Sequence, residues 1–162
     1  KKNFNFINFN FKKDYTDSEL VLNEIEKKYD KIYAIAALGG SIDHELTNIN
    51  LLNRYSNLIF VSQKEKMFKI EKSYNFSNMK NKKVSFIIFS DKVKDLTLKG
   101  FKYDVENLDL TKGETRCVSN IIEKTEARLT LKSGALLCVV KWNKNWHTDI
   151  FVIEFIKKEE VL

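Results

Sequence analysis

The sequence predicts two kinds of structure in series: an α/β segment at the start of the chain and an all-β, antiparallel segment after it. Three observations predict this. Up to about residue 62, strand-like apolar runs alternate with stretches of helical spacing, as in a sheet covered by helices. From about Gln63 the helical spacing stops, and strand-length pieces recur with turn residues between them. The 162 residues, 43% hydrophobic and 31% charged, provide apolar material for a core of one ordinary domain or two small ones.

Residues 4–11 alternate Phe and Ile with Asn and read as a strand of period two. Thr16 or Asp17 can cap the helix that follows, in which Leu20, Val21 and Ile25 fall near helical spacing. Residues 31–38 (KIYAIAAL) form a continuous apolar run, the pattern of a parallel-sheet strand buried on both faces. Gly39-Gly40 breaks it. Residues 43–55 read as a second helix with Leu46, Ile49 and Leu52 on one side, and residues 58–61 as a short strand. Beyond the boundary near residues 62–65, strands are expected at 67–70, 84–90, 93–98, 101–105, 116–122, 127–131 and 135–140. Ser77-Asn78, Asn81, Asn107, Lys112-Gly113 and Ser133-Gly134 supply the turns of an antiparallel sandwich or barrel. Residues 141–162 stand apart: Trp142, Trp146 and His147 precede 149–156 (DIFVIEFI), which reads as one more strand or a tail that pairs with another chain.

Composition excludes several classes. No apolar run approaches the roughly 20 residues of a membrane span, and the first residues interleave Asn with apolar side chains, unlike a signal peptide. Cys117 and Cys138 are too few for a disulfide framework and lack metal-site spacing, so a reducing, cytoplasmic setting without membrane contact is expected. The net charge is +6, yet among the 28 basic residues only Arg54, Arg116 and Arg128 are Arg. That reads as a solvated lysine surface. The aromatics interleaved with Arg that a nucleic-acid surface needs are missing, so no nucleic-acid partner is expected.

The informative segments are residues 12–20 (KKDYTDSEL) and 37–52 (ALGGSIDHELTNINLL). Each follows a predicted strand and opens a predicted helix, and in open α/β sheets ligands bind outside the carboxyl ends of the strands. Asp14, Asp17 and Asp43 lie there. Carboxylates repel phosphate but hold Mg²⁺, which binds phosphate. Gly39-Gly40 permits close approach of a backbone and its N–H groups to a ligand. From spacing alone, Asp17 and Asp43 serve equally as helix caps and Gly39-Gly40 as a turn. His44 is open as a base, a phosphate contact or a helix-start hydrogen bonder.

These residues resemble a known family. Lys13-Asp14-Tyr15-Thr16-Asp17 resembles the KDxTD motif of thiamine pyrophosphokinases, and Gly39-Gly40-Ser41-Ile42-Asp43-His44 with Asn48 resembles their GGRxDHxxxN. Leu98-Lys99-Gly100-Phe101-Lys102-Tyr103, Val118-Ser119-Asn120 and Leu131-Lys132-Ser133-Gly134-Ala135-Leu136-Leu137 resemble the family's KGLxY/W, SN and KSGxLL motifs, in the same order and spacing over about residues 4–140. The resemblance implies an α/β (Rossmann-like) catalytic domain, of which residues 1–63 would be the C-terminal part. It further implies a β-sandwich thiamine-binding domain over 64–140, with 141–162 as an extension.

The implied activity transfers pyrophosphate from ATP to the hydroxyethyl group of thiamine, in a homodimer with thiamine lodged between subunits. Asp14 and Asp17 would hold Mg²⁺ at the triphosphate, and Thr16 would support the turn or contact phosphate. Gly39, Gly40 and His44 would line the nucleotide cleft, Asp17 and Asp43 would be catalytic, and Ser119 and Asn120 would bind the pyrimidine. Two departures stand out. The family's GGR arginine is Ser41, and the family's upstream GDxDS motif does not occur in these residues. The chain is therefore expected to be the C-terminal three-quarters of a longer protein, folded, dimeric, binding thiamine weakly and nearly inactive alone. The alternative is a non-catalytic thiamine-binding or dimerisation module.

Overall fold

In the computed structural model, which describes residues 14–141 and 153–157, the first element is helix α1 (Asp17–Ile25), capped by Thr16, whose Oγ1 accepts the Glu19 N–H at 3.3 Å. A short 3-10 turn (Glu26–Lys28) leads into strand β1 (Tyr29–Ile35). The expected strand over 4–11, together with Trp142, Trp146 and His147, lies outside the described residues. Helix α2 (Ile42–Arg54) follows, then β2 (Leu58–Val61), parallel to β1. Asn57 fastens this unit, donating from Nδ2 to the carbonyls of Glu26 (3.0 Å) and Tyr29 (2.7 Å).

Leu51, Leu52 and Tyr55 turn inward from α2, whereas Leu46 is exposed. The buried stripe thus differs from the Leu46–Ile49–Leu52 face expected: Ile49 and Leu52 pack inward together with Leu51, but Leu46, in the second turn of the helix, is exposed.

The remaining strands are β3 (Glu65–Ile70), β4 (Ser73–Ser77), β5 (Lys83–Ile88), β6 (Lys92–Lys99), β7 (Val105–Thr111), β8 (Asn120–Ile121), β9 (Glu126–Thr130), β10 (Leu136–Lys141) and β11 (Ile153–Lys157). They form a seven-stranded sheet, β11-β1-β2-β3-β10-β5-β8, and a four-stranded antiparallel sheet, β4-β9-β6-β7. The larger sheet is mixed: β2 turns back antiparallel onto β3 through residues 62–64, so one sheet runs unbroken across the change of pattern near residue 63. One face is covered by α1 and α2, giving a core of Leu22, Ile32, Leu52, Phe60, Met67 and Val139. Its other face, at the β3-β10-β5 end, packs on the four-stranded sheet, giving a second core. β11 lies antiparallel along the edge of β1 away from β2, with Ile32 opposite Phe155.

Two expected strands are not continuous. Phe101 makes only an isolated bridge with Ile122, and the chain bends through 102–104 before β7 begins at Val105. Over 116–122 only Asn120–Ile121 is strand; Cys117 (φ +66°) and Ser119 (φ +60°) take left-handed backbone that interrupts any ladder. The bend has a cause in the second core. Phe101 is buried edge-on against Phe76 and Phe86, with centroids 5.5 and 5.6 Å apart. That contact anchors the chain one side of Tyr103 while Tyr103 itself stays exposed.

Candidate functional site

The first group of site residues lies where helices start. α1 leads into β1 through one short turn, and Tyr55, at the end of α2, gives its hydroxyl hydrogen to Asn23 Oδ1 near the end of α1 (2.7 Å). The two helices are therefore roughly aligned, and both begin toward the edge where β1 and β2 end. Asp14, Asp17, Gly39, Gly40, Asp43 and His44 all lie at those starts, exposed. Thr16 caps α1 and keeps Asp14 and Asp17 on either side of the cap.

The loop after β1 is shaped by α2. Asn48 Nδ2 donates to the Ala37 carbonyl (2.8 Å), and the Gly39 N–H donates to Glu45 Oε1 (3.3 Å). Gly39 has φ +95°, and a methyl placed on it would meet nothing within 4 Å, so its freedom serves backbone conformation and an open approach. Asn48 and Glu45 are the residues that position this loop. Asn48 belongs to the GGxxDHxxxN pattern; Glu45 has no signal beyond its place in the first turn of α2. The Asp43 carboxyl is held below the usual carboxylate range, chiefly by the Ser41 hydroxyl and secondly by the His44 backbone N–H. Ser41, which stands where the family pattern has Arg, thus acts on Asp43.

The second group surrounds a cavity of about 150 Å³ lined by Tyr103, Val105, Leu108, Arg116, Cys117, Val118 and Asn120. A cavity of roughly that volume accepts one six-membered ring. Tyr103 and Val118 are among the exposed large apolar side chains and form its rim. Asn120 is 2% exposed. Its Oδ1 accepts the N–H groups of Tyr103 (3.0 Å) and Ile121 (2.8 Å), and its Nδ2 donates to the Tyr103 carbonyl (2.8 Å). Both lone-pair directions of Oδ1 are filled, so the amide grips the Tyr103 backbone. The Ser119 side chain is exposed, while its backbone N–H donates to Ser85 Oγ (3.0 Å). Cys117 is half-buried and its thiol pKa is raised by burial. Ser85, Tyr103 and Arg116 are additions to the expected site residues. A lone Ser within the apolar run VSFII was the only signal for the first.

Comparison with known proteins bears on both groups. The family model for the thiamin pyrophosphokinase catalytic domain matches residues 1–63, and that for the thiamin pyrophosphokinase vitamin B1 binding domain matches residues 65–136. The chain belongs to the thiamine pyrophosphokinase family. It is 36% identical over 135 residues to the thiamine pyrophosphokinase of Bacillus subtilis, covering 78% of this chain and 63% of that relative. Thiamine pyrophosphokinase 1 of Oryza sativa subsp. japonica is 28% identical over 112 residues, covering 65% of this chain and 42% of the relative. The crystal structure of the Bacillus subtilis enzyme superposes with a TM-score of 0.75 at 29% identity, covering 82% of this chain and 65% of that one. The Geobacillus thermodenitrificans thiamin pyrophosphokinase gives 0.74 at 28%, covering 82% and 64%. The chain thus spans a little under two thirds of the length of these bacterial relatives. At 82% coverage of this chain the superposition takes in residues of both its α/β part and its antiparallel strands. No helix among the described residues is long and apolar enough to cross a membrane.

Proposed function

We propose that the protein transfers the pyrophosphoryl group of ATP to the hydroxyethyl oxygen of thiamine, releasing AMP and thiamine diphosphate. The observation that carries this reading is the presence in one chain of both matched halves: an acidic helix-start edge and a ring-sized cavity. Residues 1–63 then belong to the catalytic domain, 64–140 to the thiamine-binding domain and 141–162 to an extension.

Asp14 and Asp17 suit Mg²⁺. Among the described residues no cluster of three or more His, Cys, Asp or Glu could hold a metal, and Mg²⁺ is commonly held by one or two carboxylates with phosphate oxygens and water in the other positions. When bound, Mg²⁺ neutralises the phosphate charge during transfer. The N–H groups of the Gly39-Gly40 loop approach the phosphates, with His44 beside them and Thr16 holding the α1 cap. Asp43, kept ionised by Ser41 and its own backbone surroundings, accepts the proton from the thiamine hydroxyl as that oxygen forms its bond to the β-phosphorus. The bond to the AMP oxygen breaks in line.

The aminopyrimidine enters the cavity, stacks on Tyr103 and meets the Ser119 hydroxyl, while Asn120 holds Tyr103. A second subunit covers the cavity mouth in a cytoplasmic homodimer. The cavity, whose lining residues all come from beyond the α/β part, favours a second reading, a module that binds thiamine without turning over ATP.

The test is AMP release from thiamine and Mg²⁺–ATP by the protein encoded in its full reading frame, with Asp14→Asn and Asp17→Asn beside it. Each replacement is expected to lower turnover about a hundredfold or more, the scale of several kcal/mol of metal-mediated stabilisation, with an unchanged melting temperature. Thiamine binding without AMP release would establish the second reading.

A further inference from the structure

Among the described residues, the buried polar side chains are Ser85 and Asn120, and each is hydrogen-bonded to a segment that lines the cavity or adjoins its lining. Asn120 grips Tyr103 on one wall of the cavity. Ser85 grips Ser119, which lies between the lining residues Val118 and Asn120. It sits on β5, where Val84 and Phe86 on either side face the second core, and its Oγ accepts the Ser119 N–H at 3.0 Å. The neighbouring Phe86 N–H donates to the Cys117 carbonyl at 3.0 Å. These two bonds from adjacent β5 residues hold a segment that would not keep its shape unaided. Cys117 and Ser119 are both left-handed, a conformation that non-glycine residues seldom take and keep only when their surroundings impose it. Remove the Ser85 hydroxyl and Ser119 loses the bond that helps fix its φ, leaving its amide without that partner.

We infer that Ser85 is a positioning residue for thiamine: it fixes the strained 117–119 segment, whose Cys117 and Val118 line the cavity, and with it the Ser119 hydroxyl. It touches no substrate itself. This rests on the reading of the cavity as the thiamine site.

The test measures binding of thiamine and of Mg²⁺–ATP separately by calorimetry in the full-length protein, for Ser85→Ala, Ser85→Thr and, as a cavity-wall control, Tyr103→Ala. Ser85→Ala is expected to weaken thiamine about tenfold, the scale of one hydrogen bond, and to leave ATP within about twofold. Ser85→Thr, which keeps the hydroxyl, restores thiamine binding. Amide exchange at Ser119 quickens in Ser85→Ala and not in Ser85→Thr. Should Ser85→Ala not fold, Ser85→Cys keeps the volume with only a weak acceptor and gives the same comparison. Unchanged thiamine affinity in Ser85→Ala, alongside weakening in Tyr103→Ala, overturns the role of Ser85 and leaves the cavity assignment standing. Equal weakening of thiamine and ATP overturns it too, because Ser85 then acts through the fold. If Tyr103→Ala also leaves thiamine unaffected, the cavity assignment itself falls.

Discussion

Replacing Asn120 by Ala removes three hydrogen bonds at once: two accepted by Oδ1 from the Tyr103 and Ile121 N–H groups and one donated to the Tyr103 carbonyl. At about 1 kcal/mol net for each bond, the loss is roughly 3 kcal/mol. For a protein of this size that lowers the melting temperature by about 6–12 °C. The effect on ligands is unequal. The freed backbone is that of Tyr103, on the cavity wall, while the residues at the helix starts are exposed at the ends of α1 and α2, which pack on the other core. Thiamine should weaken about tenfold or more, with ATP affinity unchanged below the new melting point. The assay pairs a thermal melt with calorimetry for each ligand, beside Asn120→Asp, which keeps the acceptor oxygen but sets a second carboxyl oxygen against the Tyr103 carbonyl in place of the donor. An Asn120→Ala protein with unchanged melting would refute the hydrogen-bond account. One with the melting drop but normal thiamine affinity would show that Tyr103 needs no fixed backbone to serve the cavity.

Three further outcomes follow from single contacts. Gly134→Ala should cost about 3 kcal/mol or more by denaturant unfolding, because φ is +99° and the added methyl would lie 2.3 Å from the Lys92 carbonyl oxygen; a loss below about 1 kcal/mol would mean the turn relaxes freely. Asn48→Ala, which frees the Ala37 carbonyl, should weaken ATP roughly fivefold and leave thiamine unchanged in paired titrations; equal losses would tie Asn48 to the fold instead. Burial pushes both thiols above the usual cysteine range, Cys138 far more than the half-buried Cys117, whose shift Arg116 partly offsets. Iodoacetamide at pH 8 should therefore modify Cys117 slowly and Cys138 only on unfolding, read by mass spectrometry, and thiamine should protect Cys117; rapid labelling of Cys138 in the folded protein would contradict its burial.

Much of the α/β part could be read from the sequence, because its signals are local. Thr16 before an apolar-periodic run is a capping position, and Gly39-Gly40 ends an apolar strand, whatever lies around them. The motifs at Asp14–Asp17 and Gly39–His44 depend on the same short-range order, so the helix-start edge was legible residue by residue. The cavity was legible only as a motif. That Asn120 spends its amide on Tyr103, 17 residues away, is a fact of packing. So is the bond from Ser119 to Ser85, 34 residues away. Nor does spacing show that residues 116–119 leave the strand, since left-handed Cys117 and Ser119 are imposed by partners on β5 against their own preference. The unbroken sheet across residue 63 has the same origin. A strand's sequence states that it has faces to bury, but which edge it pairs with is settled by the chain that folds back beside it, as β10 does between β3 and β5.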